Sequence, residues 1–456
     1  MEVLSMIGYI QKCINPQCGH EHPAVAFNYV CTRCKGLLLV ERDEELITFK
    51  LGKGISIRRN LDALRYGADR KLYPNGSGVW RWLDFILPGF PVNASMDFPL
   101  SLREGNGDLF TVPQDLCKSI GLKRLLIKTE GQNPSGSFKD MGMPVAISEA
   151  LRLQHFYPNL NITSVACAST GDTSASAAIY TGYVKNKLKC LVFVPYGGIS
   201  PAQLAQAMQY GATVIAIDHP DGFDACMKLV AQYCDAHPEF VLVNSKNAFR
   251  VAGQETIGLN IIHDLDWQVP DWIAIPVGNG GNLSALMIGL LRAKKFGIID
   301  KLPGIIAAQT AASDTLVRWQ NSGFNDYEPH ARQETIASAM NINDPVSFPR
   351  IKKFYKEFNI RFYSVPEQNI KDTWMRFTQR GAPVCPQFGT TMDAVIQARN
   401  DNLIKENDLV VPIATASDLK FSEPAIGYNM ENQGIYSNQF VKVDGTIEAI
   451  NQALAQ

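Results

Sequence analysis

Beyond about residue 120, short apolar runs alternate with segments whose apolar positions recur at helical spacing. The short runs, bounded by turn residues, predict strands: RLLIKT (124–129), ITSVACA (162–168), CLVFVP (190–195), TVIAID (213–218), FVLVN (240–244), DWIAIPVG (271–278), GIIAAQ (304–309) and LVVPIAT (409–415). The segments 140–153, 173–186, 201–209, 223–236, 253–264 and 282–296 predict helices between them. Residues 320–350 and 420–440 read as loop-rich. Apolar strands separated by amphipathic helices predict parallel sheets covered on both faces, hence an α/β fold. Strand order does not follow from periodicity.

Composition narrows the class without naming a chemistry. A chain of 456 residues suggests two or three domains, and 46% hydrophobic with 19% charged residues is ordinary for a globular protein. A formal net charge of −1 offers no global field for nucleic acid or an anionic membrane, so neither is expected as a partner. There is no run of 18 apolar residues, and the start MEVLSMIGYIQKC lacks a basic n-region and a cleavage site. Ten cysteines without an export signal read as reduced thiols and leave room for a metal site. A cytoplasmic protein is the expectation.

The first 45 residues depart from the α/β pattern. Cys13-x4-Cys18, twelve residues and then Cys31-x2-Cys34 make two paired thiols, with Gly19 and Gly36 close behind each pair. Such turns aim backbone amides at thiolate sulfur while the pairs close a tetrahedral zinc site. The segment is too short for its own core, so a metal would supply its folding energy. His20 and His22 are alternative ligands, and four unrelated cysteines are the plainer alternative. The ERDEE run (41–45) balances neighbouring lysines and arginines, so a ribbon here reads as structural.

Four turns rich in glycine or hydroxyl residues each follow a predicted strand, where ligands of open α/β sheets bind. EGQNPSGSFKDMGM (130–143) brings Lys139 to a helix start. An ammonium beside helix amides is electrostatically awkward, so the position favours a neutral or covalently used amine of the Schiff-base kind. CASTGDTSASAA (167–178) offers Ser169, Thr170 and Thr173 around Gly171 as a carboxylate pocket, or an ordinary capped helix. PVGNGGNLSA (276–285) presents Gly278, Asn279, Gly280, Gly281 and Asn282, which suits one phosphate and lacks nucleotide-loop spacing. NSKNAFRVAGQET (244–256) carries Asn244, Ser245 and Arg250, whose forked donors match a second anion. A Schiff-base lysine, a phosphate turn and a carboxylate turn together describe pyridoxal 5'-phosphate handling an amino acid.

The runs SGSFKDMGM, CASTGDTSASAA, PVGNGGN, NSKNAFRVAGQET, TIASAMNINDPVSFPR and VCPQFGTTMDA strongly resemble the threonine synthase family over roughly residues 75–420. YPNGSGVW (73–80), FDACMKLV (223–230) and DWQVPDW (266–272) point to its plant-type branch. The resemblance implies the fold of type II pyridoxal-phosphate enzymes: two parallel-sheet α/β domains with the cofactor in the cleft, plus the small ribbon-like segment. The corresponding divisions are 1–45 for the ribbon, 46–127 with 248–456 for the large domain, and 128–247 for the small one. It implies that Lys139 carries the cofactor covalently and then acts as the base. The 278–282 turn would hold the cofactor phosphate, Asp172 would face the ring hydroxyl and Thr415 the ring nitrogen. Ser169, Thr170 and Thr173 would bind the α-carboxylate, and Asn244, Ser245 and Arg250 the substrate phosphate. An ionised Asp172 would repel the ring oxygen, so a shared proton is expected there. The implied activity is a carbon–oxygen lyase converting O-phospho-L-homoserine and water to L-threonine and phosphate, in a homodimer. A related enzyme using another phosphorylated or acylated amino acid is the alternative. ATASDLKF (414–421) lacks the His-Gly pair common in the family before Leu-Lys.

Overall fold

The computed structural model describes residues 7–455 apart from 170, 197–200 and 332. Strands β1 (Tyr9–Cys13), β2 (Glu21–Pro23) and β3 (Leu38–Arg42) form an antiparallel sheet in the order β2-β1-β3. Strands β4 (Leu109–Thr111), β5 (Arg124–Thr129), β6 (Ser164–Ala168), β7 (Lys189–Pro195), β8 (Thr213–Ile217), β9 (Phe240–Leu242), β10 (Trp272–Pro276), β11 (Gly304–Thr310), β12 (Ile360–Val365) and β13 (Leu409–Ala414) divide between two larger sheets. The order β12-β11-β10-β13-β5-β4 is parallel except for the antiparallel edge strand β4. The order β8-β7-β6-β9 is wholly parallel.

Every residue of β6, β10, β11 and β13 is buried, which is why these strands read as unbroken apolar runs. The α/β expectation and its eight strands are observed with small differences at their ends. Among the elements that add to them are edge strand β4, strand β12, and the helices Glu367–Thr378 and Pro386–Asn400. The 420–440 stretch also holds a helix, Ser422–Met430.

Two corrections matter for the site. The helix predicted from 140 begins at Met143, with Pro144 in its first turn; Phe138–Met141, which contains Lys139, is a separate 3-10 turn. The helix predicted from 253 is two helices, Ala248–Gln254 and Thr256–Asp264. The side chain of Asn247 accepts from the amides of Phe249 and Arg250, so the chain turns helical earlier and Arg250 falls in a first turn.

The Lys139 turn and the Arg250 helix meet backbone to backbone. A Cβ on Gly142 would lie 2.4 Å from the Arg250 carbonyl oxygen, and one on Gly253 2.3 Å from that of Met141. Glycine at both positions is therefore a packing requirement.

The N-terminal sheet is seated on the α/β body by buried polar contacts. Tyr9 donates to Glu149 at 2.8 Å, and Glu149 pairs with Arg152 at 2.6 Å. Removing one partner of such a pair leaves a bare buried charge, at about 3–5 kcal/mol. The Leu242 amide of β9 donates to the Tyr29 hydroxyl at 2.8 Å, and Arg350 donates to the Leu38 carbonyl at 2.8 Å.

Candidate active site

The turns after β5, β6, β9, β10 and β13 all leave the carboxyl ends of parallel strands, and they hold the sequence-predicted residues. The Lys139 turn is stitched from both sides. Its Phe138 amide donates to the Thr415 carbonyl at 2.9 Å, and the Ser417 amide to the Gly136 carbonyl at 2.9 Å. From the other side, Asp140 accepts from the amide and hydroxyl of Ser135 and the hydroxyl of Ser176, each at 2.6 Å. Ser176 lies in the Asp172–Tyr183 helix, so Asp140 ties the turn to that helix. Burial raises the Asp140 carboxyl to about 6 against these hydrogen bonds, which favour its ionised form.

Lys139 is half-buried, and its amine makes no hydrogen bond or ion pair among the described residues; it lies over the Phe138 ring, 3.8 Å from the centroid. Burial lowers its pKa to about 7; Arg250 and Lys420 push in the same direction and Asp172 opposes them. Each pKa unit is worth about 1.4 kcal/mol, so keeping an ammonium here costs several kcal/mol. A neutral nucleophilic amine near neutrality is what the site favours.

At the start of the Asp172–Tyr183 helix, Ser169 is buried and its hydroxyl accepts from the Gly171 amide at 3.2 Å. Thr173 is half-buried in the first turn, and Thr170 lies outside the described residues. Asp172 is paired with Lys420 at 2.8 Å, and Lys420 also donates to the Ser135 carbonyl at 3.0 Å. Lys420 was not assigned a role from sequence; the family-like Leu-Lys in ATASDLKF was the available signal.

The 244–250 turn and the 278–282 turn carry the residues expected from sequence to meet anions. Arg250 is buried, donates to the Val243 carbonyl at 2.6 Å and leaves its Nε without a partner. Burial lowers its pKa to about 10, and no carboxylate pairs with it among the described residues. Asn244 differs from expectation: its amide is spent on Ala168, accepting from the Ala168 amide at 3.0 Å and donating to its carbonyl at 2.8 Å. Asn244 therefore fixes the turn to the end of β6, while Ser245 lines the neighbouring cavity.

In the glycine-rich turn, Gly280 has φ 73°, and the Gly281–Lys295 helix begins with amides that have no helical partner. Both polar atoms of the Asn282 side chain are buried and unpaired, and Gly278 packs against the Ala339 carbonyl. The Ser347 amide donates to the Asn279 carbonyl at 3.0 Å, while Arg350 donates to the Ser245 carbonyl at 3.1 Å and the Lys246 carbonyl at 3.2 Å. SFPR (347–350), absent from the sequence-derived site, thus braces both anion turns. A cavity of about 750 Å³ opens beside them, lined by Asn244, Ser245, Lys246, Asn279 and Asn343.

Thr415 is buried directly after β13, with its hydroxyl 3.7 Å from the Cys385 thiol. Cys385 opens the Pro386–Asn400 helix. Away from this cleft, the sulfur atoms of Cys13, Cys18, Cys31 and Cys34 lie within 4.8 Å of one another, with Cys13–Cys34 at 3.4 Å and Cys18–Cys31 at 3.7 Å. A Cβ on Gly36 would sit 3.2 Å from the Cys34 sulfur and 3.3 Å from that of Cys13.

Comparison with known proteins places this constellation in context. The profile described as "Pyridoxal-phosphate dependent enzyme" matches residues 100–416. Threonine synthase 2, chloroplastic, from Arabidopsis thaliana is 36% identical over 375 residues, 82% of this chain and 70% of that protein. Threonine synthase from Methanocaldococcus jannaschii is 33% identical over 418 residues, 91% of this chain and 94% of that one. Among solved structures, threonine synthase from Escherichia coli superposes with a TM-score of 0.64 at 21% identity, covering 97% of this chain and 94% of that one.

Because burial sets the Lys139 amine at about 7, reaction of the apoprotein with pyridoxal phosphate should accelerate as pH rises through 7 and level off above it. Stopped-flow absorbance measures this. A rate that keeps climbing to pH 10 would mean an ordinary exposed lysine.

Proposed function

The chain belongs to the pyridoxal-phosphate dependent enzymes and, among them, to the threonine synthases, and we propose that it converts O-phospho-L-homoserine and water into L-threonine and phosphate at the Lys139 cleft. The observation that carries the assignment of residues is the pairing of an unpartnered, pKa-lowered Lys139 with a buried, carboxylate-free Arg250. The residues fit the cofactor. Lys139 offers a free amine, and the 278–282 turn offers unpaired helix amides with the unpaired Asn282 side chain. Asp172 and Thr415 would meet the ring oxygen and ring nitrogen.

When bound, pyridoxal phosphate supplies an electron sink that makes protons beside the amino-bearing carbon removable. Lys139 Nζ is the base for the protons on Cα and Cβ. Ser169, Thr170 and Thr173 at a helix start orient the α-carboxylate, which fixes the face from which those protons are taken. Arg250 and Ser245 hold the phosphate ester, and Asn244 holds the turn that carries Ser245. As the Cγ–O bond breaks, its electron pair leaves on a phosphate already gripped by the guanidinium. Lys139 returns a proton to Cγ; the oxygen of water then joins Cβ while that water gives its spare proton to the base or the departing phosphate, and Cα regains a proton to complete threonine. Water must be kept out until that step, which makes closure of 128–247 over the rest of the chain part of the proposal.

The domain divisions 1–45, 46–127 with 248–456, and 128–247 belong to the same proposal, as does a homodimer. The four thiols are spaced for a structural zinc, with Zn–S bonds of about 2.3 Å placing tetrahedral sulfurs under 4 Å apart. No helix among the described residues is long and apolar enough to cross a membrane. We propose a cytoplasmic location, while noting that the Arabidopsis relative is named chloroplastic. Nucleic acid has no place in the reading.

Purified holoenzyme given O-phospho-L-homoserine should release phosphate and threonine in equal amounts; phosphate without threonine would contradict the assignment. Arg250→Ala should raise KM for the phosphate ester by about 10–100-fold, the weight of a charge-assisted pair. Cofactor affinity should change little, and equal loss of both would remove Arg250 from the substrate grip. Metal analysis should find one zinc per chain, and Cys31→Ser should release it. A folded, zinc-free preparation would reject the site.

A further inference from the structure

Lys420 bridges three elements that build the cleft. Its ammonium lies 2.8 Å from Asp172 Oδ1 at the start of the Asp172–Tyr183 helix and donates to the Ser135 carbonyl of the Lys139 turn at 3.0 Å. The Lys420 backbone belongs to the Asp418–Phe421 turn that follows Thr415. Its aliphatic stem crosses Gly136, where a Cβ would lie 3.2 Å from Lys420 Cδ and where φ is 80°. The two side chains are only 9% and 13% exposed, so the pair is shielded and held in one geometry.

That contact bears on the charge problem at Asp172. A carboxylate facing an anionic ring oxygen within about 4 Å meets a repulsion of about 4 kcal/mol at an effective dielectric of 20. A carboxylate with no counter-charge in such a place relieves the repulsion by sharing a proton with its neighbour. An ammonium in direct contact offsets most of that repulsion and holds the carboxylate in place as one partner of a proton shared with the ring oxygen. The helix start favours the same ionised state. The other ionisable groups facing this point are Lys139 and Arg250, Asp140 in the Lys139 turn, and the Cys385 thiol at the start of the Pro386–Asn400 helix.

We propose that Lys420 is a positioning residue that keeps Asp172 ionised and aimed at the cofactor ring oxygen, and so decides on which side their shared proton rests. The proposal rests on the reading that Asp172 faces the cofactor. Lys420 touches no reacting atom; it acts through Asp172.

The test is the pH dependence of the visible absorbance of the holoenzyme, compared for Asp172→Asn, Lys420→Met, Lys420→Arg and the double variant Lys420→Met with Asp172→Asn. Asp172→Asn should move the transition, which establishes that Asp172 meets the ring. Removing the ammonium leaves an unpaired carboxylate, which favours the protonated form. Lys420→Met should therefore raise the transition by about one pH unit or more, a tenfold change in proton affinity. Lys420→Arg should leave it in place. In the Asp172→Asn background, Lys420→Met should add little.

If Lys420→Met matches the unaltered protein, or shifts the transition equally with and without Asp172, the positioning role is overturned while the Asp172 reading stands. If Asp172→Asn leaves the transition unmoved, the reading falls and the proposal with it. Should Lys420→Met fail to hold cofactor, Lys420→Gln carries the same comparison.

Discussion

The cleft is organised around crowded basic groups, and one of them, Arg250, has no carboxylate partner among the described residues. Lys139, Arg250 and Lys420 act on one another at the ends of the parallel strands, where helix starts add further positive potential. The carboxylates there are already engaged, Asp172 by Lys420 and Asp140 by Ser135 and Ser176. Arg250 is buried with an unpaired Nε and a lowered pKa, and Lys139 is driven toward its neutral form. Such a site is incomplete without anions. In the proposed reading a cofactor phosphate, a substrate phosphate and an α-carboxylate are the charges that balance it.

Holding that arrangement falls to groups that touch no ligand. Gly142 and Gly253 let the Lys139 turn and the Arg250 helix meet closely enough for their charges to interact. Asp140 links the turn to the helix that starts at Asp172, and Asn244 pins the Ser245 turn to the end of β6. Arg350 then joins the carbonyls of Ser245 and Lys246 to that of Leu38 in the N-terminal sheet. The cysteine-bearing segment is thereby wired to the 244–250 turn, so its folding and the shape of that turn are physically connected. Tyr29 and Tyr9 reinforce the same docking from β9 and from Glu149.

Much of this was legible in the sequence because it lies on local patterns. Buried parallel strands read as apolar runs, and the turns that follow them carry glycine or hydroxyl residues for backbone reasons. What escaped notice depends on contacts between distant segments. Lys420 and Asp172 are far apart in the chain, and no periodicity pairs them. Arg350 reads as one more arginine near a helix start until its four carbonyl and hydroxyl contacts are seen. Asn244 illustrates the converse: its residue type suits an anion, yet its amide is consumed by the backbone of Ala168. The break at Glu255 has no local mark because GQETIG continues the helical pattern, whereas Asn247 is a cap that the sequence itself carries.

We propose the Lys139 amine as the covalent centre toward which the other turns converge. Borohydride reduction of the holoenzyme, followed by peptide mapping, tests it most directly. The account predicts a single pyridoxyl-modified peptide carrying the label on Lys139. Label on Lys420, Lys246 or any other lysine, with Lys139 unmodified, would contradict it.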